Sequence, residues 1–366
     1  MISTLQPDKM GSYASEDVTF LLRDIGNVFL EMDNEKREQL IQTGTHYSEM
    51  LPMEYQPSQT YMNLFYKTLD ASAERIAIAV GLVAEQIIKN RGLENLILVS
   101  LARAGTPIGI LIKRYISMHY KVNVPHYSIS ILRGRGFDET AIRYILMQHP
   151  QGCLQFIDGW TGKGAITKEL IQSCQKFNGQ HQTQLSADLA VLADPGHCAT
   201  IYGTREDFLV PSACLNSTVS GLVSRTVLNL QFMDEHDFHG AKYYKELEAI
   251  DVSNLYIERI ASCFERVQSE VIRQLQEQAS SQVTWAGMKF VQKIQLDFDI
   301  DNIQLIKPGV GETTRVLLRR IPWKILINPQ YMDELDHILL LAHEKNVLIE
   351  EYSNMSYACC GLIKEL

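Results

Sequence analysis

The chain has 366 residues, 46% hydrophobic and 21% charged, with a formal net charge of −9. This composition excludes a disordered or collagen-like chain, and the length points to two or three domains. The acidic balance argues against broad nonspecific nucleic-acid binding but leaves room for a local basic site. No apolar run approaches the roughly 18 residues a membrane helix needs, so no membrane partner is expected. The first residues have no basic and then apolar leader pattern. The seven cysteines are scattered, without a C-x-x-C pair or zinc spacing. That usage reads as a cytoplasmic protein with free thiols.

Residues 1–57 read as irregular, with short elements. Apolar positions Leu64, Leu69, Ile76, Val80, Val83 and Ile87 recur at helical spacing and predict a helix over 58–90, stopped by Arg91 and Gly92. Residues 96–101 form a continuous apolar, β-rich run, the pattern of a central parallel strand. A small loop and a helix over 110–119 follow. A strand over 127–132 leads to a loop in which Arg133 and Arg135 lie between glycines, then to a helix over 139–148. Leu154 opens the next strand, which ends in Asp158. The loop Gly159-Trp160-Thr161-Gly162-Lys163-Gly164 and a helix from about Lys168 come next. Residues 189–194 form another buried strand. This alternation predicts a parallel sheet covered by helices, with ligands at the C-terminal ends of its strands.

Beyond Asp194 the pattern is less regular. One amphipathic helix is expected over 251–280, with Ile257, Ile260, Phe264, Val267, Val271 and Leu275 on a stripe. In the tail, 316–318, 325–327 and 347–349 read as strands and 332–344 as a helix. The expected division is 1–250, a helical connector at 251–284, and a small α/β domain at 285–366.

Three strand-end loops carry complementary chemistry. Arg103 and Lys163 can neutralise phosphate, and Thr161 and Thr167 offer hydroxyls. Arg133 and Arg135 can close over a ligand. Asp158 can order a ribose hydroxyl or a magnesium-bound water. The blander alternatives are that Arg103 caps its own loop and that Arg133 and Arg135 are solvated. Trp160 reads as a core anchor or as a platform for a base.

The stretch Val99-Ser100-Leu101-Ala102-Arg103-Ala104-Gly105-Thr106-Pro107-Ile108-Gly109 resembles the pyrophosphate loop of type I phosphoribosyltransferases. The stretch from Leu154 to Thr167 resembles their signature. The whole chain resembles a more specific group, phosphoribosyltransferase-like proteins of bacterial tellurite-resistance and stress gene clusters that end in a pelota-type RNA-binding domain. The phrases around His126 to Ile131, Asp158 to Gly164 and Leu215 to Thr226 carry that resemblance. It implies an α/β phosphoribosyltransferase-like domain plus a small pelota-like α/β domain. It also implies phosphoribosyl pyrophosphate or a ribosyl phosphate as ligand, with magnesium. Thr161, Gly162, Lys163, Gly164 and Ala165 would hold the 5′-phosphate. Arg103, Ala104 and Gly105 would hold pyrophosphate, and Arg133 and Arg135 would close over it. One departure matters: the family's two adjacent acids are replaced by Asp158 and Gly159, so binding is expected more readily than ordinary base transfer.

Proteins of this group are also labelled cysteine proteases, which keeps a second class open. A thiol hydrolase would use Cys214 or Cys198 with His197, and His197 would serve Cys214 more readily than its own neighbour. A non-catalytic nucleotide- or RNA-binding protein is a third reading. The tail resembles the RNA-binding domain through residues 313–324 and 357–363. Its Arg315, Arg319, Arg320 and Lys324 are clustered, with Trp323 available for stacking on structured RNA. The alternative is a domain that packs on the first one and closes its pocket.

Overall fold

The computed structural model describes residues 5–365 apart from 27, 29–30, 232, 235, 278–281 and 354. Six strands make an all-parallel sheet: β1 (Thr19–Phe20), β2 (Leu96–Leu101), β3 (His126–Ile129), β4 (Cys153–Trp160), β5 (Leu189–Ala193) and β6 (Ile201–Thr204). Their spatial order is β1-β3-β2-β4-β5-β6. From β2 the chain builds outward to β3, then returns to place β4 on the other side of β2. The crevice beyond the ends of β2 and β4 is therefore the topological switch point.

Short α1 (Asn34–Gln42) is capped by the Asp33 side chain, which accepts from Lys36 N–H at 2.8 Å. Long α2 (Gln59–Arg91) is capped by Ser58 and stopped by Gly92 at φ +72°. It covers one face of the sheet with α3 (Gly105–Tyr120). The other face is covered by α4 (Glu139–Gln148) and α5 (Ala165–His181). Helix α3 takes up residues expected to be loop. Asp158 lies inside β4 rather than after it.

The helix expected over 251–280 is two, α6 (Ser253–Ala261) and α7 (Phe264–Glu277). The break follows Ser262, whose hydroxyl donates back to the Arg259 carbonyl at 2.8 Å. Its last expected residues, 278–280, lie outside the described residues. Of the predicted stripe, Ile257, Ile260, Phe264, Val267 and Val271 are buried and Leu275 is partly so.

The tail contains α8 (Ala286–Asp297), β7 (Ile306–Pro308), α9 (Val310–Arg319), β8 (Pro322–Ile327), α10 (Asp336–Glu344), β9 (Leu348–Glu351) and β10 (Cys359–Ile363). Its mixed sheet runs β7-β10-β8-β9. Residues 316–318, expected to be a strand, lie in α9 because Val310, Thr314 and Leu317 continue the apolar face at helical spacing. The helix expected over 332–344 begins only at Asp336; the residues before it form a 3₁₀ turn, Pro329–Glu334.

Part of the tail shares a core with the first unit. Val310, Leu317 and Ile338 belong to the same buried cluster as Tyr61, Phe65 and Ala213. A half-buried carboxylate adds to the dock. Asp207 accepts Val310 N–H at 2.9 Å and Ala358 N–H at 2.8 Å.

Candidate functional site

A cleft of about 840 Å³ opens at the switch point, between the strand ends and the tail. Nine lysines and arginines line it: Arg37, Arg103, Arg133, Lys163, Arg225, Lys307, Arg315, Arg319 and Arg320. Among the described residues only four carboxylates do: Glu38, Asp158, Glu312 and Glu365. In a chain of net charge −9 this is a concentrated positive field, suited to a polyanion. Burial, and next the charge of Arg133, pulls Lys163 down to about 8. Lys307 is held well below the usual lysine range by burial and then by Arg133 and Lys163.

The Thr161–Gly164 loop turns on Gly164 at φ +79° and feeds straight into α5. The first N–H groups of a helix have no intrahelical partner and carry partial positive charge. Thr167, on that first turn, lines the cleft; its hydroxyl is buried without a partner. Thr161 is different, because its hydroxyl donates to the Asp194 carboxylate. Lys163 reaches across to the tail and donates to the carbonyls of Ile303 at 2.6 Å and Ile306 at 3.3 Å. Gly162 O accepts from Tyr357 O–H at 3.1 Å. Ala165 opens α5 at the cleft wall. The loop is thus half phosphate cradle in form and half docking surface for the tail.

The other expected residues divide. Asp158, Arg103, Ala104 and Arg133 line the cleft. Arg103 is nevertheless committed, donating to Val223 O and Asn216 Oδ1, both at 3.0 Å. Arg133 donates to Gln304 of the tail at 2.9 Å. Gly105 and Arg135 do not line the cleft. A Cβ on Gly105 would fall 2.3 Å from Ile157 O, so this glycine serves helix–strand packing. Arg135 turns to Glu49 and to Leu228 O. Trp160 packs on Gly311, with the Arg315 guanidinium 4.4 Å above its ring, so it anchors the tail.

The expected RNA-facing cluster is not a common outer surface. Arg315 pairs with Glu312, Arg319 donates to Asn216 and Arg320 forms a bidentate pair with Glu38, all toward the cleft. Trp323 is 42% exposed away from it, and Lys324 pairs with Glu350. Docking of α9 on the first unit turned these arginines inward. Sequence reading missed Arg37, Tyr47, Arg225 and Lys307, whose distant positions give no local motif.

Asp158 accepts its neighbour Gly159 N–H at 2.7 Å. Burial raises its carboxyl to about 6; the Gly159 bond and Arg315 oppose this, and Glu312 adds to it. A folded-state value above the unfolded one means ionisation is disfavoured in the native protein, so this group's stability contribution is lost as pH rises from about 4 through 6. Asp158→Asn is expected to melt higher than wild type at pH 7.5, by on the order of 2 kcal/mol, and to match it near pH 4. Denaturant titrations at both values check this; an equal gap at both would remove the titration as its cause.

Among the described residues no group of three or more His, Cys, Asp or Glu is poised for a metal. The two candidate thiols, Cys198 and Cys214, are buried. Cys198 Sγ lies 3.2 Å from Gly196 O, and burial, then the Asp194 charge, pushes its thiol up to about 12. Burial pushes Cys214 up to about 12 as well, beside Tyr61. Among the described residues no hydrogen bond joins His197 to either thiol. His197 itself donates through its backbone to Asp194 O, and its carbonyl accepts from Thr284 and Trp285. Thiolate is therefore scarcer by roughly a thousandfold than in a free cysteine. Alkylation of both in the native protein at pH 7.5 is expected to be slower by about that factor, read by mass spectrometry. Rapid labelling of Cys198 would overturn the inert reading.

Fold and cleft define a parallel-sheet α/β protein whose switch-point crevice is closed by a small α/β domain. Comparison places it further. Residues 11–261 match the family described as "Tellurite-like stress resistance cysteine protease StiP", and the chain belongs to that family. Residues 285–365 match the PELOTA RNA binding domain. The cysteine protease StiP of Acinetobacter baylyi (strain ATCC 33305 / BD413 / ADP1) is 35% identical over 337 residues, 87% of this chain and 84% of the relative. A structure from Clostridium novyi NT, described as a tagatose-6-phosphate ketose/aldose isomerase, is 10% identical. The match covers 80% of this chain and 65% of that one at a TM-score of 0.19, too low to bear on the fold. These names accord with the thiol-hydrolase alternative; the phosphoribosyl reading rests on the loops. No helix among the described residues is long and apolar enough to cross a membrane.

Proposed function

We infer that the cleft binds a phosphate-bearing anion, with the chemistry of phosphoribosyl pyrophosphate or a ribosyl phosphate. The observation that carries this is the unpartnered Thr167 hydroxyl on the first turn of α5, inside a cleft lined by nine basic side chains. A phosphate there accepts from Thr167 and from the free N–H groups of the helix. Asp158 and Glu312 are hard oxygen donors in the same cleft, and fit magnesium carried in on the ligand and held through water. In phosphoribosyl transfer the chain's own residues would position the sugar and stabilise departing pyrophosphate, without a covalent nucleophile. Isothermal titration of phosphoribosyl pyrophosphate with magnesium tests this. Micromolar binding, weakened at least tenfold in Thr167→Val, is expected; no binding to wild type at millimolar ligand overturns it.

A second reading is thiol-dependent peptide hydrolysis, which the name of the 35%-identical relative supports more directly than it supports phosphoribosyl transfer. Cys198 is its best-placed nucleophile, since a Cβ on Gly164 of the cleft loop would come within 2.7 Å of the Cys198 sulfur. With that thiol near 12 and no histidine bonded to it, hydrolysis requires a rearrangement that brings a base to Sγ. Loss of peptidase activity in Cys198→Ser or Cys214→Ser, with ligand titration unchanged, would select this reading.

A further inference from the structure

We propose that the cleft holds a second phosphate subsite, apart from the N-terminus of α5, formed by Arg37, Arg225 and Arg320 beside the ring of Tyr47. It rests on the reading of the cleft as a phosphate site and adds a second anion-binding point to it.

Three guanidiniums from distant parts of the chain meet here. Arg37 comes from α1, Arg225 from the segment between β6 and α6, and Arg320 from the end of α9. Arg37 is 2% exposed; one terminal nitrogen donates to Arg319 O at 3.3 Å, and its Nε has no partner. Arg225 Nε is also buried without a partner, and its guanidinium lies 4.5 Å from the centre of the Tyr47 ring. Arg133 shares that ring at 5.1 Å.

The neutralising charge is short. Glu38 is the carboxylate in contact, and both of its oxygens accept from Arg320, at 2.5 and 2.7 Å. The strongest charge effects on Arg225 come from Arg37, Arg133 and Arg320, all positive, and from Tyr47, which opposes them. Burial and then the charge of Arg320 pull Arg37 down to about 10, with Glu38 opposing; burial and then the charge of Arg37 pull Arg225 down to about 9. Both stay cationic at neutral pH. Buried guanidiniums with unused N–H groups are costly unless an anion completes them. Their forked donors match the geometry of phosphate oxygens.

The second phosphate can come from a compact diphosphate or from the next unit of a nucleotide chain. Two probes separate these sources: inorganic pyrophosphate and 5′-phosphorylated diuridine. Each is titrated calorimetrically against wild type, Arg225→Met, Arg225→Lys and Thr167→Val. At least one probe is expected to bind wild type and to weaken tenfold or more in both Arg225 variants. Loss confined to the dinucleotide assigns a nucleotide chain; loss confined to pyrophosphate assigns a compact diphosphate. Anion-free Arg225→Met should melt no lower than wild type, since one of three like charges is gone.

Wild-type affinity in both Arg225 variants for both probes overturns the subsite. If Thr167→Val weakens binding in that case, the α5 site stands alone. Conversely, loss in the Arg225 variants with none in Thr167→Val keeps the cluster and removes the α5 site. Failure of both probes to bind wild type overturns the second subsite, while the α5 site is decided separately by the phosphoribosyl pyrophosphate titration.

Discussion

Replacing Asp207 with alanine is expected to loosen the tail domain and open the cleft. The carboxylate is half-buried, and it accepts the N–H groups of Val310 at the start of α9 and Ala358 just before β10. Alanine leaves both donors without a partner at a dry interface, a cost of about 1–3 kcal/mol each. Part is offset, because burial already raises this carboxyl to about 6, so removing the charge relieves some strain at neutral pH. A net loss of roughly 2–4 kcal/mol remains. Hydrogen exchange at the amides of Val310 and Ala358 is the direct readout, with protection falling by about two orders of magnitude. Ligand affinity should fall with it, since Lys307, Arg315, Arg319 and Arg320 reach the cleft only from a docked tail. Asp207→Asn keeps an acceptor and should lie between. Unchanged exchange in the alanine variant would show that the shared apolar core alone holds the tail.

The same dock explains what could be read from the residues and what could not. Strands such as 96–101 were legible because a doubly covered strand is apolar almost throughout. The place of the cleft followed in turn, since switch-point crevices lie at strand ends. Val316, Leu317 and Leu318 misled because a three-residue apolar run fits either period; the deciding partners, Val310 and Thr314, lie one and two turns earlier. Arg319 and Arg320 were legible as a basic cluster, but which way it faces depends on Asn216 and Glu38, about a hundred and almost three hundred residues away. Thr161 and Thr167 look alike in the sequence. Asp194, just past the end of the neighbouring strand, claims the first and leaves the second to the cleft.

Gly196→Ala tests how the loop and tail are held together, and its effect is expected to be large. The glycine's backbone is ordinary, so the demand is for space. A Cβ there would lie 1.9 Å from Gly162 O, with Thr161 Oγ1 at 3.0 Å and Cys198 Sγ at 3.1 Å. The nearest atom is backbone of the cleft loop and cannot swing aside. On the far side Gly196 O accepts Gly287 N–H at 3.1 Å, and a Cβ on Gly287 would meet Tyr357 Oη at 2.0 Å. Gly162, Gly196 and Gly287 therefore stack main chain against main chain, and the tail docks on the loop through them. One added methyl must push the loop from the α5 terminus or the tail from the loop. A loss of about 3 kcal/mol or more is expected, in the range of overpacked cores, together with at least tenfold weaker binding at the Thr167 end of the cleft. Gly179→Ala is the matched control. It lies in α5 with nothing within 4 Å of its added Cβ, and should stabilise by about 0.5–1 kcal/mol. Both variants are read by denaturant unfolding and ligand titration. If Gly196→Ala folds and binds like wild type, the loop is free to shift, and the phosphate site cannot depend on the tail's present seat.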